Sequence, residues 1–255
     1  MLVALEFPPI QHLFDWPGLV FKDTPFEINK TVALVLISTA IVIGMFLVAA
    51  RRPALVPTGL RNVVEVGIEF VDRGIAREVI GPEGTAWVPF LTSMFFFIFV
   101  MNLFEIIPVI QFPATSRMAI PAYLALQTYV IFLAVGIKHQ GFFGYLKNSL
   151  FPPGVPKALY LLVVPIEFLS TFLVRPFSLA VRLFANMMAG HLLLTAFYVI
   201  SAALWSKTLL LVILPLPVLT TIGLTGFELL VAVLQAYIFT MLTAVYIGQS
   251  MHADH

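Results

Sequence analysis

The chain contains no cysteine. That absence removes disulfides, iron–sulfur clusters, thiolate zinc sites and cysteine nucleophiles in one step. Histidine is nearly as scarce. Of the five, His12, His139, His252 and His255 fall in expected loops or tails, and only His191 lies inside an apolar run, so a multi-histidine metal site lacks its ligands. Neither a metal nor another cofactor is expected. Charged residues make up only 11% of the chain and balance to a formal net charge of +1. No basic cluster is large enough to neutralise several phosphates, which excludes a nucleic-acid partner. A secretory leader is not expected, because Glu6, Pro8 and Pro9 interrupt the opening "MLVALEFPPI", and the amino terminus is expected to be retained.

What the chain has in quantity is apolar surface: 60% of its 255 residues are hydrophobic. No window of about 100 residues has the composition of a soluble domain. The expected fold class is therefore an all-α integral membrane protein, with residues 1–30 as an external amino-terminal segment and 31–255 as one helical membrane domain. A span needs about 20 mostly apolar residues to cross roughly 30 Å of hydrocarbon. Residues 31–50, 86–110 and 118–137 suit that length. The runs 158–203 and 208–250 do not, since as continuous helices of 46 and 43 residues they would reach roughly 65 to 70 Å. They are read as an overlong, strongly tilted hairpin, with Pro165, Pro176, Pro215 and Pro217 as places to kink or restart and Lys207 at the turn.

About five membrane helices result. With the amino terminus outside, the inner loops collect Arg51, Arg52, Arg61, Arg73, Arg77, Lys138, Lys147 and Lys157, against Lys22, Lys30, Arg117 and Lys207 outside. The bias predicts N-out and C-in. Between the first two spans, Leu60, Val63, Val64, Ile68, Val71, Ile75 and Val79 recur at steps of three and four, which predicts an amphipathic helix over about 58–80. It reads either as interfacial or as a loop helix packed on the protein.

Ionisable groups at membrane depth are costly and mark a pathway by default. Within the expected helices they are Glu105, Glu167, Arg175, Arg182, His191 and Glu228. Arg182 is the most demanding, because arginine stays charged at any physiological pH. At 100° per residue, Ser178 and Asn186 lie within about 40° of it and Arg175 within about 20°, making a polar stripe that Ala189 and Gly190 extend with small side chains. His191 points to the opposite side. On the last helix Thr221, Glu228 and Gln235 are seven residues apart and share a face, beside Thr225. In an antiparallel hairpin that face could meet His191, and a carboxylate beside an imidazole in a wet cavity would form a proton relay. Asn102 and Glu105 either belong to the same path or hydrogen-bond neighbouring helices. Arg175, nearer a helix end, is equally explained by snorkelling to the interface, and the run from Phe95 to Phe99 reads as packing. On these residues alone a secondary transporter, with Arg182 binding an anionic substrate, and a membrane scaffold remain open.

The segments "RPFSLAVRLFANMMAGH", "FELLVAVLQAYIFTMLTAVYI" and "FVMNLFEIIP" closely resemble subunit a of the F-type proton-translocating ATP synthase, in its bacterial form. The likeness runs from about Arg51 onward. It implies a non-catalytic stator subunit, without a nucleotide site of its own, in a bacterial plasma membrane or a mitochondrial inner membrane. Implied partners are a rotating ring of small c-type hairpin subunits, each with a membrane carboxylate, a peripheral-stalk b-type subunit, the soluble ATPase sector and membrane lipid. Arg182 matches the family's essential arginine. Asn186, His191, Glu228 and Gln235 match polar positions associated with its proton path, and Asn102 with Glu105 match a polar pair in the second span. Histidine on the first hairpin helix and glutamate on the second is the mitochondrial arrangement, whereas many bacterial members reverse it. Two proton half-channels meeting at Arg182 are the implied machinery.

Overall fold

A computed structural model describes residues 27–51, 58–107, 110–151, 155–156, 159–205 and 209–251. Most of the expected amino-terminal segment, with His12, and the Lys207 turn lie outside the described residues. The chain is helical, and five stretches are long and apolar enough to cross a membrane: 30–50, 82–103, 119–140, 160–204 and 215–251. The fold class read from the sequence stands.

Helix α1 (Lys30–Ala50) is capped by Asn29, whose side chain accepts from the Val32 amide at 3.0 Å. Leu36, Ile37, Ile43, Leu47 and Val48 remain exposed along it, as suits a helix at the lipid boundary. Helix α2 (Leu60–Val71) runs through a π turn at Asp72–Ala76 into Arg77–Val79. It buries Val64, Val71 and Ile75 and leaves Leu60, Val63 and Ile68 exposed, so the apolar face is divided between protein and surroundings. Its charges pair along the exposed side, with Arg73 to Glu69 at 3.0 Å and Arg77 to Asp72 at 2.9 Å.

The second span is shorter than its apolar run suggests. A 3₁₀ lead-in (Pro82–Trp87) opens helix α3 (Val88–Leu103), and the chain then turns. Glu105 therefore lies in a connection and not in a helix. That connection folds inward: Phe112, Ala114, Thr115 and Ser116 are all buried, around a 3₁₀ turn at Ala114–Ser116. Helix α4 (Ala119–Gln140) follows, then a second helix, α5 (Phe142–Leu150), in a place read as loop from the sequence. Gly141, at φ +76°, makes the corner between them in a conformation that favours glycine.

The long hairpin begins with α6 (Tyr160–Leu169), passes a π turn at Ser170–Val174 and continues as α7 (Arg175–Leu204). Pro176 explains the turn's position. Proline has no amide hydrogen, and its ring collides with the carbonyl four residues earlier, which lies inside the widened segment. The helix is thus re-phased without breaking, where the sequence allowed a kink or a split. Helix α8 (Pro215–Met251) starts at a proline, which the first helical turn accepts readily, and spans 37 residues, about 55 Å.

The core lies where α8 meets α3, α4 and α7. Leu91, Ile98, Met101, Phe132, Leu179, Leu183, Met187, Phe239 and Ile247 are fully enclosed there. Ala232, Ala236 and Ala244, also buried, let the helices approach closely, as small residues do inside membranes. The buried hydroxyls follow the same economy: Thr243 and Thr240 donate to carbonyls four residues back at 2.9 and 2.8 Å, and Thr128 meets Thr243 at 3.3 Å. Phe95 and Phe96 pack edge to face, as expected of that aromatic run.

Candidate functional site

Five spans in succession place the start of α1, the end of α3, the start of α4, the end of α7 and the start of α8 at one end of the bundle. Lys30 marks it, with Nζ donating to the Ile110 carbonyl at 2.8 Å. The opposite end is marked by Gln140, which donates to the Ser250 carbonyl at 3.0 Å and accepts from Asn148 at 2.9 Å. From the Lys30 end, polar side chains descend between α7 and α8 in three levels.

At the top stand Glu105, Asn102 and Thr115. Asn102 and Thr115 are fully buried, Glu105 is 3% exposed, and Thr115 donates to Asn102 Oδ1 at 2.8 Å. Glu105 lies within electrostatic reach of Glu228. In the middle, Glu228 is 4% exposed and rests on Gly190, where a Cβ would stand 2.5 to 2.6 Å from its carboxyl atoms. His191, the next residue of α7, is also buried and meets the Phe112 ring edge-on, with centroids 6.2 Å apart. Seven residues below Glu228, about 10 Å along α8, Gln235 accepts the Asn186 amide hydrogen at 2.7 Å. Thr221 and Glu228 share the buried face of α8 with Gln235, as the seven-residue spacing requires.

Arg182 lies one turn of α7 beyond Asn186 and is exposed. Among the described residues it forms no ion pair. Its neighbours on that face are Ala185, Asn186, Ala189 and Leu193, also exposed, while α8 exposes Gly223, Gly226, Leu230 and Val233. The stripe read from the sequence thus needs revision at Gly190, and two other members engage groups away from Arg182. Gly190 leaves it for the hairpin interior, because the carboxyl of Glu228 occupies the space a Cβ would fill. Ser178 spends its hydroxyl on the Arg175 carbonyl of its own helix at 3.1 Å. Arg175 turns to the far end, its guanidinium 5.4 Å from the Tyr246 ring centroid. Asn186 is both exposed and bonded to Gln235, so it joins the exposed face to the buried seam.

The seam is also where hydrogen bonding is incomplete. Five buried side-chain atoms lack a partner among the described residues, and four belong here: Asn102 Nδ2, Glu105 Oε1, Glu228 Oε2 and Gln235 Nε2. Leaving such a group unmatched costs roughly 1 to 3 kcal/mol each. No group of three or more metal-ligating side chains is assembled among the described residues. Thr115, Phe112 and Lys30 were not legible as site residues, since they come from a connection and a helix end where no periodicity operates.

Comparison with known proteins agrees with the resemblance. The family described as ATP synthase A chain matches residues 32–248. "ATP synthase subunit a" of Rhodococcus erythropolis is 42% identical over 99% of this chain and 94% of its own length. That of Frankia alni is 46% identical over 94% and 83%, and that of Hyphomonas neptunium 35% identical over 98% of each. Matched along nearly all its length, the chain belongs to the ATP synthase A chain family.

Proposed function

We propose that the seam from Glu105 to Gln235 is a proton half-channel opening at the Lys30 end, and that Arg182 is the charge at which it stops. The chain is a multi-pass protein of the bacterial plasma membrane and part of the ATP synthase complex, as its family requires. The observation that carries the finer reading is where the unmatched buried atoms lie: Glu105, Glu228 and Gln235 each hold one, and Gln235 is bonded to Asn186 on the exposed face.

A transmembrane arginine turned to lipid costs about 2.5 to 3.5 kcal/mol on insertion scales, and more by simulation. A partner carrying a carboxylate removes that cost. A ring of c-type hairpin subunits docked on the face of Ala185, Ala189, Gly223 and Gly226 would bring one carboxylate at a time to Arg182, and the small side chains admit close approach. Beside the guanidinium the carboxylate is ionised. To move on into lipid it must first take a proton, because a bare charge there is expensive. Asn186 and Gln235 stand where that proton is handed over, supplied from His191 and Glu228. Arginine passes no proton itself, so it separates this half-channel from a second one toward the Gln140 end, where Ser178 lies. A membrane potential of 100 mV adds about 2.3 kcal/mol per charge moved and biases the direction of rotation.

With the amino terminus outside, as the lysine and arginine bias favours, the Lys30 end faces outward. The b-type stalk subunit and the soluble ATPase sector complete the assembly. The decisive experiment is Arg182→Ala in the reconstituted complex. Coupled proton pumping and ATP synthesis are expected to vanish while the complex still assembles, because the side chain is exposed on this subunit. Arg182→Lys should fail in large part, since lysine loses its proton when desolvated. Normal synthesis from a proton gradient in Arg182→Ala would remove the assignment.

A further inference from the structure

We infer that the Phe112 ring is a cap over His191, latched by Lys30, that limits how water and small solutes reach the imidazole from the Lys30 end. The inference rests on the half-channel reading for its purpose, but its geometry is independent of it.

One ammonium holds two parts of the same short segment. Lys30 Nζ donates to the Ile110 carbonyl at 2.8 Å and stands 5.2 Å from the centroid of the Phe112 ring. The first contact is a charge-assisted hydrogen bond and the second a cation–π interaction. Between them Gln111 has φ +37°, a backbone region that a residue with a side chain rarely adopts. Such strain persists only where both flanks are held. Lys30 holds one flank together with the Ile107 carbonyl, which accepts from the amides of Ile110 and Gln111 at 3.2 and 3.0 Å. The other is held by the burial of Phe112, 1% exposed, and by its amide, which donates to the Phe104 carbonyl at 3.4 Å.

The ring then meets His191 edge-on, at 6.2 Å and 78° between planes. Lys30 itself lies within electrostatic reach of the imidazole. The apolar ring thus covers the histidine from the α3–α4 connection, and its position depends on a side chain from the start of α1. The ring is thus held by a contact from another helix as well as by core packing. Lys30 acts through Phe112 and is a positioning residue.

The chain's lack of cysteine makes the test direct. His191→Cys gives this subunit a single thiol, whose reaction with a water-soluble, uncharged methanethiosulfonate is followed by mass spectrometry of this chain in the intact, membrane-reconstituted complex. The reagent is added to each membrane face in turn. In that background Phe112→Ala and Lys30→Met should each speed labelling at least about tenfold, equivalent to about 1.4 kcal/mol of lost closure, from one face only. Lys30→Arg, which keeps the cation and the donor, should stay near the starting rate. Phe112→Leu covers failure of the alanine variant to assemble, with a smaller rise expected. Unchanged labelling in both Lys30→Met and the Phe112 variants would overturn the cap, and equal acceleration in Lys30→Arg and Lys30→Met would overturn the latch. A failure of the half-channel reading would look different: His191→Gln would pump protons at the full rate, while labelling still responded to Phe112 and Lys30.

Discussion

Replacing Gly190 by alanine separates packing from proton transfer more cleanly than removing any charged group. The added Cβ would lie 2.5 Å from Glu228 Oε1 and 2.6 Å from Cδ and Oε2. Ordinary contact requires close to an ångström more, so the carboxyl must retreat by about 1 Å, since dispersion contacts settle near 3.5 Å. The retreating atoms are the far end of a flexible side chain, and the helix backbone can stay in place. Overpacking of this kind typically costs about 1 to 3 kcal/mol, against which alanine returns about 0.5 to 1 kcal/mol of helix stability over glycine. The complex should assemble. Transfer along the seam is another matter, because a displacement of about 1 Å in a reacting geometry can lower a rate about a hundredfold. ATP-driven acidification of proteoliposomes, read with a pH-sensitive dye and normalised to assembled complex, should fall between about tenfold and a hundredfold on that basis. Glu228→Asp, one methylene shorter, should recover part of the loss in the Gly190→Ala background while impairing the protein alone. Pumping by Gly190→Ala at the unmodified rate would show that the Glu228 carboxyl need not lie against α7, and the reasoning would fail.

Asn186→Ala removes the donor to Gln235 and leaves that amide's oxygen unmatched beside a nitrogen that is already so; a cost of about 1 to 3 kcal/mol should appear as slowed pumping with normal assembly, whereas Asn186→Ser should retain more activity. Gly84→Ala tests the opposite regime, because its Cβ would fall on the Ala76 carbonyl oxygen and a backbone atom cannot step aside. Here the loss should be in the amount of assembled subunit detected by immunoblot, with little change in pumping per assembled complex.

Much of the architecture was legible because membrane spans are encoded by length and polarity, and both are local. The runs 158–203 and 208–250, of 46 and 43 residues, declared themselves too long for one simple crossing. Helix phase served as well: the seven-residue steps from Thr221 to Gln235 placed three side chains on one buried face without any knowledge of the partner. Phase was less reliable where side chains chose their own partners. Gly190 reads as part of the arginine stripe by angle, yet its missing side chain matters for a carboxyl arriving from another helix. The connection between α3 and α4 was illegible for a further reason. Phe112 and Thr115 are buried because α7 lies over them, and no pattern within the segment itself reports that.

The π turn at Ser170–Val174 carries a consequence for how this hairpin tolerates change in length. Each residue added to or taken from a helix turns everything beyond it by about 100°, and Arg182 lies eight positions past the end of the turn. Chain length at this point therefore acts as an angular setting for the arginine. Loops elsewhere can lengthen or shorten with small effect, but one residue gained or lost between Pro165 and Pro176 would swing the charge away from its exposed face and leave every residue type unchanged.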